Sequence, residues 1–164
     1  MLAGSSAAES CAGCGLVIAG GMAGCQSLMD ECLARDFSDI AYFRLHRLLV
    51  DTYSLQHPEH YCASAKRLAA HLTGLCWALE HDGNRAVGSE ALLRWLTRSP
   101  PVEQPEFPRF RGTLTIASVH TVRDASRYAQ AVELWARATW EAYAALQPLA
   151  RRWIHQALNP SRKP

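Results

Sequence analysis

Between residues 128 and 146, Tyr128, Val132, Trp135, Thr139, Ala142 and Leu146 step by four, three, four, three and four. This is the spacing that lines one face of an α-helix. A stripe this long has to be buried, and the rest of the chain supplies further helices to bury it. Ala65, Leu68, Ala69, Leu72, Leu75, Cys76 and Leu79 repeat at the same spacing over a segment from about Tyr61 to Glu80, which Asp82-Gly83-Asn84 should end. Ser38 or Asp39 is a suitable N-cap for a helix from Ile40 to Gln56, and Pro58 disfavours helical geometry at His57. That helix is polar only along Arg44, Arg47 and Asp51, which marks it as central. Shorter helices are expected from about Gly24 to Ala34, with Cys25, Leu28 and Cys32 on one face, and from Ser89 to Leu96. Asp124 caps the last long helix, which Pro148 should bend or break before it resumes from Leu149 to Leu158.

Between these segments the chain is irregular. Gly20-Gly21 should keep it so until Cys25, and Pro100-Pro101 through Pro108 should form an extended surface strap. Thr113 to Val119 fits a strand or a helix of one or two turns. Residues 1–10 and 159–164 read as disordered tails around a single domain at 11–158. The fold expected is all-α: a bundle of about five helices with an N-terminal Cys-x-x-Cys knuckle. At 164 residues the chain can bury one sizeable core.

The formal charge is +2, the arginines are scattered, and the only lysines are Lys66 and Lys163. No concentrated basic face exists for nucleic acid. No segment approaches the ~18–20 apolar residues of a membrane span. Leu16 to Cys25 looks like the end of a lipoprotein signal, but a signal peptide needs a basic start, and residues 1–15 hold Glu9 and no Lys or Arg. A cytoplasmic location is therefore expected, with no membrane or nucleic-acid partner. Reduced thiols follow, so the six cysteines should serve metal binding or core packing rather than disulfides.

Cys11-x-x-Cys14-Gly15, followed by Cys25, is the strongest chemical signal. Such a turn lets two thiolates converge on one ion while glycine relieves backbone crowding. Cys25, at a helix start, is a reasonable third ligand. A structural zinc site wants four, and a second Cys-x-x-Cys is absent. His46 and His57 lie along one side of the second helix and are the candidates to complete it, His57 slightly ahead because it sits at the helix end beside Pro58. Eleven residues apart, roughly 16 Å by helix rise, they cannot both ligate one ion. Cys32, Cys62 and Cys76 fall in apolar patterns and read as core residues. His71, His81, His120 and His155 lack spacing partners and read as surface or satisfied core histidines. Arg47 and Asp51 form an i,i+4 pair that needs no catalytic explanation. A redox role for Cys11 and Cys14 would want a strand before the pair and a helix start at it, where this chain has a loose tail and a Gly-rich loop.

These blocks together resemble a bacterial family of unknown function. The resemblance rests on the Cys-x-x-Cys-Gly opening, the helix-start Cys25, Asp36-Phe37-Ser38-Asp39-x-x-Tyr42-Phe43-x-x-His46, and Val50-Asp51-x-Tyr53-x-x-Gln56-His57-Pro58. It continues through Ser64-Ala65-Lys66 and Ala70-His71-Leu72 to Trp135, Trp140 and Tyr143. It implies no activity, but it sets Cys11, Cys14, Cys25, His46 and His57 within shared blocks and adds His71 as an outside candidate. Near Leu146-Gln147-Pro148, where some relatives would carry histidine, this chain has none.

No phosphate loop, nucleophile elbow, dinucleotide fingerprint or His-Glu-x-x-His is present. The expectation is a zinc-stabilised, non-enzymatic interaction or regulatory domain acting on an unknown protein partner, with one structural zinc. The alternative is a metal-dependent enzyme with a His-lined site in a helical bundle.

Overall fold

The structure, a computed structural model, describes residues 7–81 and 85–160; Asp82-Gly83-Asn84 and the outer parts of both expected tails lie outside the described residues. A two-stranded antiparallel hairpin opens the fold: β1 (Ala8–Ser10) pairs with β2 (Val17–Ala19), Glu9 opposite Ile18. It brackets the Cys-x-x-Cys turn, so the residues just before Cys11 are ordered by that turn where the sequence suggested a tail.

Nine helices follow among the described residues: α1 (Gly21–Asp36), α2 (Ile40–Phe43), α3 (His46–Gln56), α4 (Pro58–Tyr61), α5 (Ala65–Glu80), α6 (Arg85–Thr97), α7 (Ala117–His120), α8 (Ala125–Ala142) and α9 (Gln147–Leu158). The all-α reading holds, with more than five helices because long segments divide and single turns intervene. Asp39 caps α2 through Ala41 N–H, and the chain then turns at Arg44-Leu45 before α3 begins. Ser64 caps α5 through Arg67 N–H and Asp124 caps α8 through Arg127 N–H. Helix boundaries differ from expectation: α5 begins at Ala65 instead of about Tyr61, α6 at Arg85 instead of Ser89, and two further differences have a local cause. Gly20 takes a left-handed conformation at the N-cap of α1, so the helix starts at Gly21 and not at Cys25. The last helix breaks at Tyr143, and Pro148 sits in the first turn of α9, where its missing N–H costs nothing.

The core forms around α3. Leu48, Leu49 and every residue from Asp51 to Gln56 are buried, with α5 and α8 packed on this helix. α5 in turn carries α6 and α9. Tyr128, Val132, Trp135 and Thr139 face inward as their spacing requires, and Cys32, Cys62 and Cys76 are core residues. No described helix is long and apolar enough to cross a membrane.

Candidate metal centre

The turn after β1 is built by two backbone hydrogen bonds, Cys11 N–H to Leu16 O and Gly15 N–H to Cys11 O, both 2.8 Å. Gly15 has φ +78°, a conformation that side chains disfavour, and it lets Cys11 and Cys14 point to the same side. The hairpin delivers this pair to the second turn of α1, where Cys25 projects, and to the C-terminal end of α3, where His57 is the capping residue. Cys11 Sγ lies 3.4 Å and Cys25 Sγ 3.5 Å from His57 Nε2, and Cys14 Sγ lies 3.7 Å from Cys25 Sγ. One atom from each of these four residues lies within 4.8 Å of the others, an arrangement that could hold a metal ion.

The surroundings orient each group. His57 Nδ1–H donates to the carbonyl of Tyr53 at 2.8 Å, which fixes the tautomer and leaves the Nε2 lone pair facing the three sulfurs. Tyr53 stacks on that imidazole at 4.0 Å and its hydroxyl reaches Cys25 Sγ and Gln26 Oε1. Tyr61 also donates to Gln26. The buried Arg111 closes the other side, donating to Gly13 O at 2.8 Å and Gln56 O at 3.3 Å while pairing with Glu59. Cys11, Cys25 and His57 are buried, and Cys14 is half-buried.

Proximity divides the two neighbouring thiols. The hydrogen bond between them holds Cys14 below the usual thiol range, at about 4, and pushes Cys25 above it, with burial adding to the rise. Cys14 and Cys25 thus share one negative charge more readily than two, and a cation between them would favour ionisation of both. The residues fit a thiophilic ion: three sulfurs and an oriented imidazole, with no carboxylate among them.

The structure brings together four of the five residues proposed from sequence. His46 lies elsewhere: its Nδ1 is 3.2 Å from Asp36 Oδ2, and its ring stacks on Phe43. Asp36 is fully buried, and burial raises its carboxyl above the usual range despite His46 and the Tyr128 hydroxyl. His71 is held by Asp51 at 2.8 Å and His120 by Glu31, as satisfied histidines should be. The sequence gives no sign of Arg111, and it marks Gln56 only as part of the Val50 to Pro58 block, without a role. Gln56 donates to Arg111 O and Leu114 O and accepts from Trp135 Nε1, so it ties the segment after the Pro-rich strap and α8 to the end of α3.

Fold and cluster together define a helical protein whose N-terminal hairpin, first helix and central helix converge three cysteines and a histidine at one point. Residues 9–144 match a family profile, and the chain belongs to that family: DUF5946, a family of unknown function. No curated protein and no solved structure matches the chain significantly.

Proposed function

We propose that Cys11, Cys14, Cys25 and His57 bind one zinc ion as a closed structural site, and that the protein is a non-enzymatic interaction or regulatory domain whose hairpin the ion fastens to α1 and α3. The observation that carries this reading is the ligand spacing. Zinc–sulfur bonds of about 2.3 Å and zinc–nitrogen bonds of about 2.05 Å, at tetrahedral angles, separate sulfurs by about 3.8 Å and sulfur from nitrogen by about 3.6 Å. Three of the six separations match closely, at 3.7 Å for Cys14–Cys25 and 3.4 and 3.5 Å from His57 Nε2 to Cys11 and Cys25, and all six lie within 4.8 Å. Four protein ligands leave no position for substrate, and Arg111 and Tyr53 cover the site. The bound ion would supply charge neutralisation and a cross-link, and the thiols it needs would persist in a reducing cytoplasm.

Elemental analysis of protein purified without chelator, together with the absorption spectrum of the cobalt-substituted form, tests both halves. About one equivalent of zinc, lost in Cys14→Ser and Cys25→Ser, and a tetrahedral three-sulfur, one-nitrogen spectrum are expected. A wild type without zinc would sink the metal reading. A zinc site that keeps a water ligand would overturn the closed-site reading in favour of a metal-dependent enzyme.

A further inference from the structure

α5 packs on α3 along one side and on α6 along the other. Between them it presents three small residues, Ala70, Gly74 and Ala78, at steps of four. This floor runs for about 12 Å by helix rise, and its side chains are too short to fill the space between the flanking helices. A cavity of about 710 Å³ results, within the range of small-molecule sites. Its walls are apolar: Leu48 from α3, Leu92 and Leu96 from α6, and Trp77 from α5 itself.

The charged residues that line it, Arg44 and Arg47, are both cations. Arg47 is fixed in place. Its Nε donates to Asp51 at 2.6 Å and its Nη2 to Ala70 O at 3.0 Å, so the guanidinium lies across α5 at Gly74. A Cβ at Gly74 would stand 2.2 Å from Asp51 Oδ2 and 2.8 Å from Arg47 Nη2, so only glycine leaves room for this arrangement. Asp51 balances Arg47, whose Nη1 has no protein partner among the described residues. Arg44, unlike Arg47, makes no ion pair among the described residues. The cavity therefore combines an apolar trough with one uncompensated positive charge and a second, oriented guanidinium.

We propose that this cavity binds a single-chain amphiphilic anion. The apolar chain lies on Ala70, Gly74 and Ala78, and a carboxylate meets Arg44 and the Nη1 of Arg47. A partner helix suits the space less well: a floor of about two turns admits few anchoring side chains, whereas stable protein interfaces bury about 1,200–2,000 Å². The proposal stands apart from the metal reading, since none of its residues belongs to the cysteine–histidine cluster.

Calorimetric titration of the protein as purified with dodecanoate, kept below its micelle concentration, is the test. One molecule should bind, and dodecyltrimethylammonium should bind at least tenfold more weakly. Arg44→Ala, at an exposed position, should weaken dodecanoate at least tenfold, and Ala78→Phe, which fills the trough, should abolish binding while circular dichroism confirms its fold. Equal binding of the anionic and cationic chains, or unaltered binding by a folded Ala78→Phe protein, would overturn the proposal. So would an absence of dodecanoate binding, whether or not an acidic helical peptide or fatty-acid-containing vesicles are bound instead.

Discussion

The backbone of Gly13 rests on the ring of His57 so closely that a Cβ there would stand 2.2 Å from Cδ2 and 2.9 Å from Cγ. The ring has nowhere to retreat, being bonded through Nδ1 to Tyr53 O and stacked on the Tyr53 phenol. Gly13→Ala should therefore destabilise the protein by about 1–3 kcal/mol, the usual cost of overpacking. Because the displaced group carries Nε2, the variant should also hold less metal. Urea denaturation and elemental analysis check the two effects, and a wild-type midpoint would contradict the packing account.

Thiol accessibility separates the six cysteines into two sets of three. Cys62 and Cys76 are fully buried, and burial pushes both thiols up to about 12; burial likewise raises Cys32. Only the thiolate reacts with disulfide reagents, so these three should stay silent in the folded protein at pH 8. With the proposed ion bound, the cluster thiols should also react slowly. Because the proposed ion is what fastens the hairpin to α1 and α3, a strong chelator should loosen it and expose the buried Cys11 and Cys25 along with Cys14, so that three thiols titrate rapidly, and denaturant should release all six. Titration with an aromatic disulfide reagent counts them directly, and six fast thiols in the native protein would rule out both sets of assignments.

Much of this arrangement was legible in the sequence, for local reasons. The turn at Cys11 to Gly15 follows from residue types within five positions, and His57 stood ahead of His46 because Pro58 ends the helix there. What captures His46, the buried Asp36, lies across the α1–α2 corner, and no periodicity connects them. β1 and β2 are three residues each, too short for a pattern, and exist because the knuckle turn brings their ends together. The sequence points to Pro148 for the break that falls at Tyr143, because proline is tolerated in a helix's first turn as readily as it ends one. The roles of Arg111 and Gln56 are unreadable for a different reason: apart from Pro108 O, the partners of Arg111 lie 52 to 98 residues away along the chain, and those of the Gln56 side chain 55 to 79.

Glu80 joins the end of α5 to α8 and α9. Its carboxylate accepts from Trp140 Nε1 at 2.8 Å and from Arg151 Nε and Nη2, both at 2.7 Å. The Arg151 hydrogen bonds hold its pKa below the ordinary 4.5. A depressed carboxyl contributes stability that is fully present above its unfolded pKa and is lost as pH falls through its folded one. The stability gap between wild type and Glu80→Gln should thus be full at pH 6 and narrow steadily below about pH 4.5. Thermal melts of both proteins across that range measure it. A gap independent of pH would mean that the ionised form gains nothing in the fold.

At Gln56 the end of α3 meets α8 and the segment after the Pro-rich strap. Its amide donates to Arg111 O at 2.9 Å and Leu114 O at 2.8 Å, while its oxygen receives the Trp135 indole N–H at 3.0 Å. Gln56→Leu keeps the volume but leaves a buried indole N–H and two carbonyls unpaired, each costing about 1–3 kcal/mol where water cannot reach. A net loss of about 3 kcal/mol is expected, with partial hydration of the strap limiting it. Arg111 is bonded to Gln56 O and Gly13 O, so its own removal loosens the same strap from the other side. The double variant Gln56→Leu/Arg111→Ala should consequently cost less than the two single losses combined, since neighbours in one network do not add. Four urea denaturation curves complete the cycle. Strict additivity would show that Gln56 and Arg111 fasten the strap by two energetically independent contacts.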